Sequence, residues 1–265
     1  MRRRISAFIC VMMAVVLLPF NSVKAASPLS DSIKNKKIVH ACGAFNGIRH
    51  ANCEESLVTA IEEGKKAIEI DFMFTSDKVL VCEHGFLSYG KREMSYKEFV
   101  REKPLQEGTA MTARRAINLL KGTNIKLIVD TQDPELVKVY KELKKICKKE
   151  HAESYFENII PQIYYEEQYK KLEGFYKFPE YIFEAYRITG VPRNGGHADF
   201  KYFLKICKKH KKIKYIAFYR RFVNKKCIDM FKKYGIGVIA HPVNSKAELK
   251  RLKKLGIAAV MTDYL

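Results

Sequence analysis

Short apolar runs alternate with amphipathic helical segments along the chain from residue 37 to its end. Eight of these runs have the length and the β-branched and aromatic content of strands, and seven helical segments separate them. The strand-like runs cover residues 38–40, 67–72, 126–130, 158–162, 181–185, 215–219, 237–240 and 259–262. Such alternation is typical of a parallel sheet with crossover helices. Eight units without a long interruption predict an α/β fold, a single closed (β/α)8 TIM barrel over residues 37–265.

Residues 1–25 are interpreted as a signal peptide rather than as part of the fold. Three arginines at positions 2–4 precede an apolar core that is too short for a comfortable membrane span. Cleavage after Ala25 would leave a short polar linker, residues 26–36, before the barrel. We therefore expect a secreted or cell-envelope protein. The alternative is an uncleaved signal that anchors the protein in the membrane.

The chain is strongly basic, with 49 Lys and Arg against 29 Asp and Glu and a formal net charge of +20. Lysines are scattered over most of the helical segments, and the sequence has neither an Arg-rich arm nor the Cys and His spacing of a zinc finger. We expect no specific nucleic-acid partner. An anionic membrane or cell-wall surface suits this charge equally well.

Two acids lie on one face of the second strand. Glu69 and Asp71 are two residues apart, so their side chains point the same way, whereas Ile68, Ile70 and Phe72 point the other way. Paired carboxylates on a rigid, apolar element commonly hold a divalent cation, because hard cations prefer oxygen ligands. The alternative is a solvated strand end, or pairing of one acid with a neighbouring lysine.

Further polar residues stand where predicted strands end, which in a barrel is the mouth that carries function. They are His40, Asp130, Gln162, Glu184, Tyr219, His241 and Asp263, with His84 just after a short apolar run. Residues 81–111, the longest insertion, would lie over the same mouth as a lid or a substrate loop. The remaining histidines, at positions 50, 151, 197 and 210, fall in loops or helices and are expected to be ordinary surface residues.

Six cysteines follow the predicted cleavage site, and their spacing forms no disulfide framework. Cys147 and Cys207 lie in helical patterns as buried small hydrophobic residues. Cys42 and Cys53, which flank the first loop, are the one pair that could form a bridge. A zinc site made from these two with His50 is a weaker alternative.

These residues resemble the motif of the glycerophosphodiester phosphodiesterase family, within the superfamily of phosphatidylinositol-specific phospholipase C. The motif is carried by His40 with Gly43, by Asn52, by Glu69 with Asp71, and by His84, and Asp130 resembles the acid that ends the family's third strand. Late segments are similar to a Gram-positive-type branch of the family: Ile159-Ile160-Pro161-Gln162, Ala240-His241-Pro242-Val243-Asn244 and Thr262-Asp263-Tyr264.

The chain departs from the family motif at four places. Ala41 replaces an arginine after the first histidine, and Ala51 replaces a glutamate before Asn52. Gly85 follows the second histidine in place of an aspartate, and Asp130-Thr131-Gln132 lacks the usual lysine. These changes put the substrate in doubt more than the reaction. His84-Gly85 is also similar to the sphingomyelinase D branch of the superfamily.

The resemblance implies an exported, metal-dependent phosphodiesterase that hydrolyses glycerophosphodiesters or related phospholipid head groups. It implies acid–base roles for His40 and His84 and a divalent cation, Ca²⁺ or Mg²⁺, on Glu69, Asp71 and Asp130. We expect Gln162, His241 and Arg187 to contact substrate; Arg187 lies just beyond a strand end and carries the planar fork that suits phosphate. A monomer is expected. Two alternatives remain open: a non-catalytic barrel that binds an anionic glycan or lipid, and a lyase that forms a cyclic phosphate.

Overall fold

The computed structural model describes residues 31–86, 93–103, 108–185 and 199–264. Within them, eight parallel strands close into a barrel, because β1 pairs with both β2 and β9. The barrel strands are β1 (Lys37–Val39), β2 (Ala67–Phe74), β4 (Lys126–Asp130), β5 (Ile159–Ile163), β6 (Tyr181–Glu184), β7 (Ile213–Tyr219), β8 (Gly237–His241) and β9 (Ala259–Thr262). The predicted (β/α)8 architecture is confirmed.

An additional short strand, β3 (Leu80–Cys82), folds back antiparallel on the end of β2. A turn stabilised by Thr75 connects them: its hydroxyl donates to the Asp77 carboxylate at 2.7 Å, and its carbonyl accepts from the Lys78 amide at 2.9 Å. The hairpin extends past the barrel mouth and returns the chain toward Asp71, whose carbonyl accepts from the Glu83 amide at 3.1 Å. His84, the next residue, is thereby placed over the site.

Eight α-helices lie within the described ranges. They are α1 (Glu54–Glu62), α2 (Tyr96–Glu102), α3 (Ala113–Leu120), α4 (Leu136–Lys149), α5 (Glu166–Phe175), α6 (Phe200–Lys209), α7 (Lys225–Lys232) and α8 (Lys246–Leu255). Side-chain caps begin several of them, such as Thr112 on α3 and Asn224 on α7. Helix α2 lies inside the long insertion and was not among the predicted segments; a capping box of Ser95 and Glu98 begins it.

The strand residues alternate between two cores. Outward residues such as Ile68, Ile70 and Val129 pack against the apolar faces of the helices in one large cluster. Inward residues form a second, smaller cluster that includes Ile128, Ile160, Ile182, Tyr215 and Ile239. Two residues further along four of these strands the inward positions are polar: Asp130, Gln162, Glu184 and His241. On β7 the polar residue comes four residues further along, at Tyr219, because Ala217 still belongs to the interior cluster. The interior of the barrel is therefore filled by an apolar layer, and the polar residues of the mouth lie on top of it.

The end of the predicted linker takes part in the fold. Ile33 is fully buried in the interior cluster, and the Asn35 amide donates to the Ala258 carbonyl at 2.6 Å. Residues 1–30, including the predicted signal peptide, lie outside the described residues, as does Arg187. In the ranges that the structure covers, no helix combines the length and apolar character needed to cross a bilayer.

The six cysteines within the described residues are buried free thiols. The suspected bridge between Cys42 and Cys53 is therefore wrong for this structure. Cys53 instead accepts a long hydrogen bond from the Ser56 amide, at 3.5 Å, and so caps α1. Neither of the potential metal-ligating groups found among these residues contains a cysteine, so the alternative zinc site is not supported either.

Candidate active site

His40 is oriented by an aspartate from the neighbouring strand. Its Nδ1 lies 2.7 Å from Oδ1 of Asp263, because β1 and β9 pair with Val39 opposite Thr262. Asn244 fixes this carboxylate: its Nδ2 donates to Oδ2 at 2.5 Å, and its Oδ1 accepts from the Asp263 amide at 2.9 Å. Burial is the largest single influence and raises the pKa of Asp263, but the hydrogen bond and charge of His40, the hydrogen bond from Asn244 and the charge of His50 together outweigh it and lower that pKa. Asp263 is thus held as an anion. We call this the His40–Asp263 pair.

The other nitrogen of His40 meets a second histidine. Nε2 of His40 lies 3.0 Å from Nε2 of His241, which ends β8, and 3.9 Å from Oε2 of Glu69. Burial and the neighbouring His40 lower the pKa of His241, so its ring is neutral near pH 7. When His40 is neutral and donates from Nδ1 to Asp263, its Nε2 is an acceptor. His241 must then donate from Nε2 to His40.

His84 makes the same contact with an aspartate of β2, the strand next to β1. Its Nδ1 lies 2.8 Å from Oδ1 of Asp71, and Nδ2 of Asn52 donates to the other Asp71 oxygen at 2.8 Å. Burial would raise the pKa of Asp71, but the hydrogen bonds from His84 and Asn52 outweigh it and hold that pKa well below its usual range. Nε2 of His84 lies 3.2 Å from Nε2 of Gln132. We call this the His84–Asp71 pair.

Buried carboxylates occupy the floor between these pairs. Asp71 and Asp130 stand side by side in the register of β2 and β4, and Glu69 lies one inward position deeper. Oε2 of Glu69 accepts from the Ala41 amide at 2.6 Å, whereas no donor among the described residues reaches its buried Oε1. Burial, followed by the charges of Asp71 and Asp130, raises the pKa of Glu69 well above its usual value. Such a concentration of buried acids requires protons or a cation.

These acids fit an oxygen-ligated divalent cation. One donor atom each from Asp71, His84 and Asp130 lie within 4.8 Å of one another, and the unsatisfied Oε1 of Glu69 adds a further ligand oxygen nearby. The predicted ligands Glu69, Asp71 and Asp130 are thus neighbours at one place. The structure groups Asp71 and Asp130 most tightly with His84 rather than with Glu69.

The predicted substrate-contacting residues are divided between two places. Gln162 is buried on β5, and its Nε2 lies 3.3 Å from the Tyr164 hydroxyl, which donates to Asp130 at 2.5 Å. Gln162 therefore supports the carboxylate floor. His241 instead contacts His40. Glu184, on β6, is a further buried acid whose charge contributes to raising the pKa of Glu69.

His50 was expected to be an ordinary surface residue, but its side chain, although partly exposed, lies against the His40–Asp263 pair. Its Nε2 lies 3.4 Å from Oδ1 of Asp263, and its ring centroid lies 4.5 Å from that of His40. Burial and the neighbouring His40 lower the pKa of His50. Its place in the loop after β1 was the one available signal, since that loop lies at the functional mouth of a barrel.

Arg220 is a second mouth residue that the sequence did not single out. It directly follows β7, and one of its guanidinium nitrogens donates to the carbonyl of Pro242 at 3.1 Å. Pro242 follows His241, so the contact holds the Arg220 guanidinium near His241 and His40. Its guanidinium carbon also lies 5.3 Å from the centroid of the Tyr219 ring.

The architecture is shared with solved structures of one enzyme family. The chain has the fold of the glycerophosphodiester phosphodiesterases. A phosphodiesterase from Oleispira antarctica, solved in complex with the product sn-glycerol-3-phosphate, matches with a TM-score of 0.67 and 19% identity over 88% of this chain and 94% of its own. A glycerophosphodiester phosphodiesterase from Parabacteroides distasonis matches with a TM-score of 0.64 and 17% identity over 87% and 93%. One from Agrobacterium tumefaciens gives 0.63 and 14% over 86% and 97%.

Comparisons at the level of sequence add nothing to this likeness: no family model and no curated protein matches the chain. At these identities the structural likeness shows the fold alone.

Proposed function

We propose that this chain is a metal-dependent phosphodiesterase that hydrolyses glycerophosphodiesters or related phospholipid head groups. The observation that carries the proposal is the pair of histidines, each hydrogen-bonded through Nδ1 to an aspartate, beside a group of buried carboxylates. A barrel that only bound an anionic surface would have little use for two such pairs. The shared fold and the sn-glycerol-3-phosphate complex of one relative support the choice of substrate class.

Each histidine is suited to move one proton. Asp263 and Asp71 hold the Nδ1 protons and fix the orientation of the rings, which leaves each Nε2 to exchange a proton with substrate. One histidine starts neutral and accepts a proton at Nε2 from the attacking water or substrate hydroxyl, and the other starts as the imidazolium and donates its Nε2 proton to the leaving oxygen. Both partners are anions, so each also stabilises its imidazolium.

His241 extends this proton path on one side. It is neutral, and its Nε2 lies within hydrogen-bonding distance of the working nitrogen of His40. When His40 gains a proton at Nε2, neutral His241 can accept the same hydrogen bond only as its other tautomer, with its own proton on Nδ1. Substrate must displace this contact to reach His40, so His241 occupies the place of the substrate's oxygen in the resting site.

The acidic floor is the proposed cation site. Glu69, Asp71 and Asp130 would hold Ca²⁺ or Mg²⁺, for which oxygen ligands are preferred over the nitrogen and sulfur ligands that suit zinc. Such an ion, when bound, supplies positive charge that neutralises and orients a phosphodiester. Without this ion, the buried acids Glu69, Asp71, Asp130 and Glu184 would repel an anionic substrate.

Positive charge on the protein is needed as well, because the family's arginine is Ala41 here. We assign this role to Arg220, whose position beside His241 brings a guanidinium to the mouth, and to the predicted Arg187. Export by residues 1–25, a monomeric state and attraction to an anionic envelope surface remain parts of the proposal. N-terminal sequencing of protein recovered from the culture medium tests cleavage after Ala25.

Phosphorus NMR of a glycerophosphodiester and lysophospholipid panel, with Ca²⁺, Mg²⁺ or a chelator, tests the reaction. Hydrolysis to a phosphomonoester that stops with chelator supports the proposal. A cyclic phosphate as the stable product would favour the lyase alternative. Binding to anionic vesicles or cell-wall polymer with no turnover of any substrate would favour the non-catalytic barrel.

A further inference from the structure

The loop between β1 and α1 holds His50 against the His40–Asp263 pair. Its backbone has a φ of +59°, a conformation that histidine adopts at a cost. Hydrogen bonds hold the loop in this shape, including Ala51 N to Gly43 O at 3.1 Å and Ala44 N to Asp263 O at 3.0 Å. The result is an imidazole whose Nε2 points to the carboxylate that orients His40.

His40, His50 and Asp263 together present two nitrogens and one oxygen. One donor atom from each lies within 4.8 Å of the others. This group is chemically unlike the carboxylate floor, since imidazole nitrogen suits Zn²⁺ and its transition-metal relatives, whereas carboxylates alone suit Mg²⁺ and Ca²⁺.

The distances are close to those of a tetrahedral ion. Ligand atoms at the usual zinc bond lengths lie roughly 3.3–3.5 Å apart. His50 Nε2 and Asp263 Oδ1 are already 3.4 Å apart. His40 Nδ1 and Asp263 Oδ1 lie at 2.7 Å, the distance of a hydrogen bond, so loss of the shared proton and an opening of about half an ångström would bring this pair close to the same spacing. The third separation, between the two histidines, is within 4.8 Å.

The surroundings supply the outer contacts that metal ligands require. Asn244 holds both the second oxygen and the amide of Asp263, whose side chain is fully buried. The other nitrogen of His40 contacts His241, which matches the rule that a ligating histidine makes a hydrogen bond through its free ring nitrogen. The His50 side chain is 37% exposed, which gives an ion a way in.

We propose that His40, His50 and Asp263 form a second cation site that binds Zn²⁺ or a similar transition metal. Binding uses Nδ1 of His40, so the proton of the neutral ring moves from Nδ1 to Nε2, and the Asp263 oxygen changes from a proton acceptor into a metal ligand. Nε2 of His40 then carries a proton and cannot accept one, so occupancy inhibits turnover. The binding itself is independent of the proposed phosphodiesterase function, whereas the inhibition rests on it.

Cobalt absorption spectroscopy tests the site without any substrate. Purified protein without a histidine tag is saturated with Mg²⁺ and titrated with Co²⁺, and Zn²⁺ is then used to displace the visible band of the bound cobalt. His50→Gln should weaken this binding by about 100-fold or more, since loss of a ligand exceeds the ten- to hundredfold effect of an outer contact.

His151→Gln is the matched control, because His151 is exposed and also has a positive φ, +53°, so the backbone cost of the substitution is alike. It should bind cobalt as the wild type does. Equal cobalt affinity in His50→Gln and wild type would overturn the proposal and leave His50 as a polar neighbour of His40.

Turnover measurements separate the inhibition from the proposed function. Micromolar Zn²⁺ should inhibit Mg²⁺-supported hydrolysis by wild type and His151→Gln, and His50→Gln should need about 100-fold more zinc, in line with its lost affinity. His50-dependent cobalt binding with no zinc inhibition would refute the inhibitory role. Should no substrate be hydrolysed by any form of the protein, the proposed function fails while the cobalt result still decides the site.

Discussion

The His40–Asp263 pair and the His84–Asp71 pair make the same hydrogen bond in different parts of the molecule. The first joins residues 223 positions apart, brought together by adjacent barrel strands. The second joins residues 13 positions apart, through a hairpin that folds over the mouth. Asp263 contacts His40, His50 and Asn244, whereas Asp71 contacts His84 and also belongs to the group of buried carboxylates. The same hydrogen bond is therefore tied to a proposed cation site of carboxylates only in the His84–Asp71 pair.

Removing each histidine is the strongest way to challenge the likeness of the two pairs. His40→Ala and His84→Ala should each lower turnover by about 10²-fold or more, because each moves a proton in the proposed reaction. Steady-state kinetics on the substrate identified by phosphorus NMR measure this, with circular dichroism to verify folding. Near-full activity in either variant would make that histidine structural and refute the two-histidine mechanism.

The aspartates should reveal the difference between the pairs. Asp263→Asn should lower turnover roughly tenfold or more through misorientation of His40, and Mg²⁺ affinity should not change. Asp71→Asn should lower turnover at least as much and also weaken Mg²⁺ binding. Calorimetric titration with Mg²⁺ beside kinetics distinguishes them. Equal metal affinities in the two variants would show that Asp71 is not a ligand.

Substitutions of the two arginines test which of them contacts the negative charge of the substrate. Arg220→Lys and Arg187→Lys keep the charge but remove the planar fork, so each should raise KM by about tenfold with little change in kcat. Melting temperature and Mg²⁺ affinity should be unchanged. Kinetics that match the wild type would remove the substituted arginine from the site.

Glu69 sharpens the comparison because it lies below both pairs. Its raised pKa means that burial disfavours the charged form, so Glu69→Gln should leave the metal-free protein as stable as the wild type or more stable at pH 7. The variant should gain less stability than the wild type when Mg²⁺ is added. Thermal melting with and without Mg²⁺ measures both effects. Glu63→Gln, whose side chain is 56% exposed, is the control and should respond to Mg²⁺ as the wild type does.

Acidity should weaken both pairs by a smaller amount. The lowered pKa values of Asp263 and Asp71 mean that the stability from these carboxylates is fully present above their unfolded pKa, near 3.9, and is lost as pH falls through the folded values. Asp263→Asn should therefore lose less unfolding free energy than wild type between pH 7 and pH 3. Urea unfolding at several pH values measures the difference, and identical profiles would contradict it.

The contrast between the pairs also explains how far the sequence could lead. Alternation of short strands and helices predicted the barrel, and the period of two predicted that Glu69 and Asp71 share a face. His40, Asp130 and His241 could be placed at the mouth because parallel strands end together. The partners of these residues could not, since no local pattern relates His40 to Asp263, which lies 223 positions away. His50 lies in the loop after β1, but only the fold shows that it contacts Asp263.

Other features depended on packing that leaves no periodic signal. Ile33 precedes the first strand by only a few residues, and it is buried because it packs into the apolar cluster inside the barrel. The antiparallel direction of β3 is invisible in a short apolar run, because both directions need the same residue types. Arg220 has no motif of its own, and its place at the mouth follows from the register of β7 beside β8.

The segment that carries His84 begins and ends at the same place on the barrel. Val81 pairs with Thr112, and the amide of Cys82 donates to the Met111 carbonyl at 2.9 Å. The intervening stretch is thus an insertion whose two ends meet on the closed barrel, and it carries one histidine of the proposed acid–base pair. We expect a shortened chain that joins β2 to α3 directly to retain all eight barrel pairings and the His40–Asp263 pair. The barrel could then persist without the insertion, whereas the proposed two-histidine site could not.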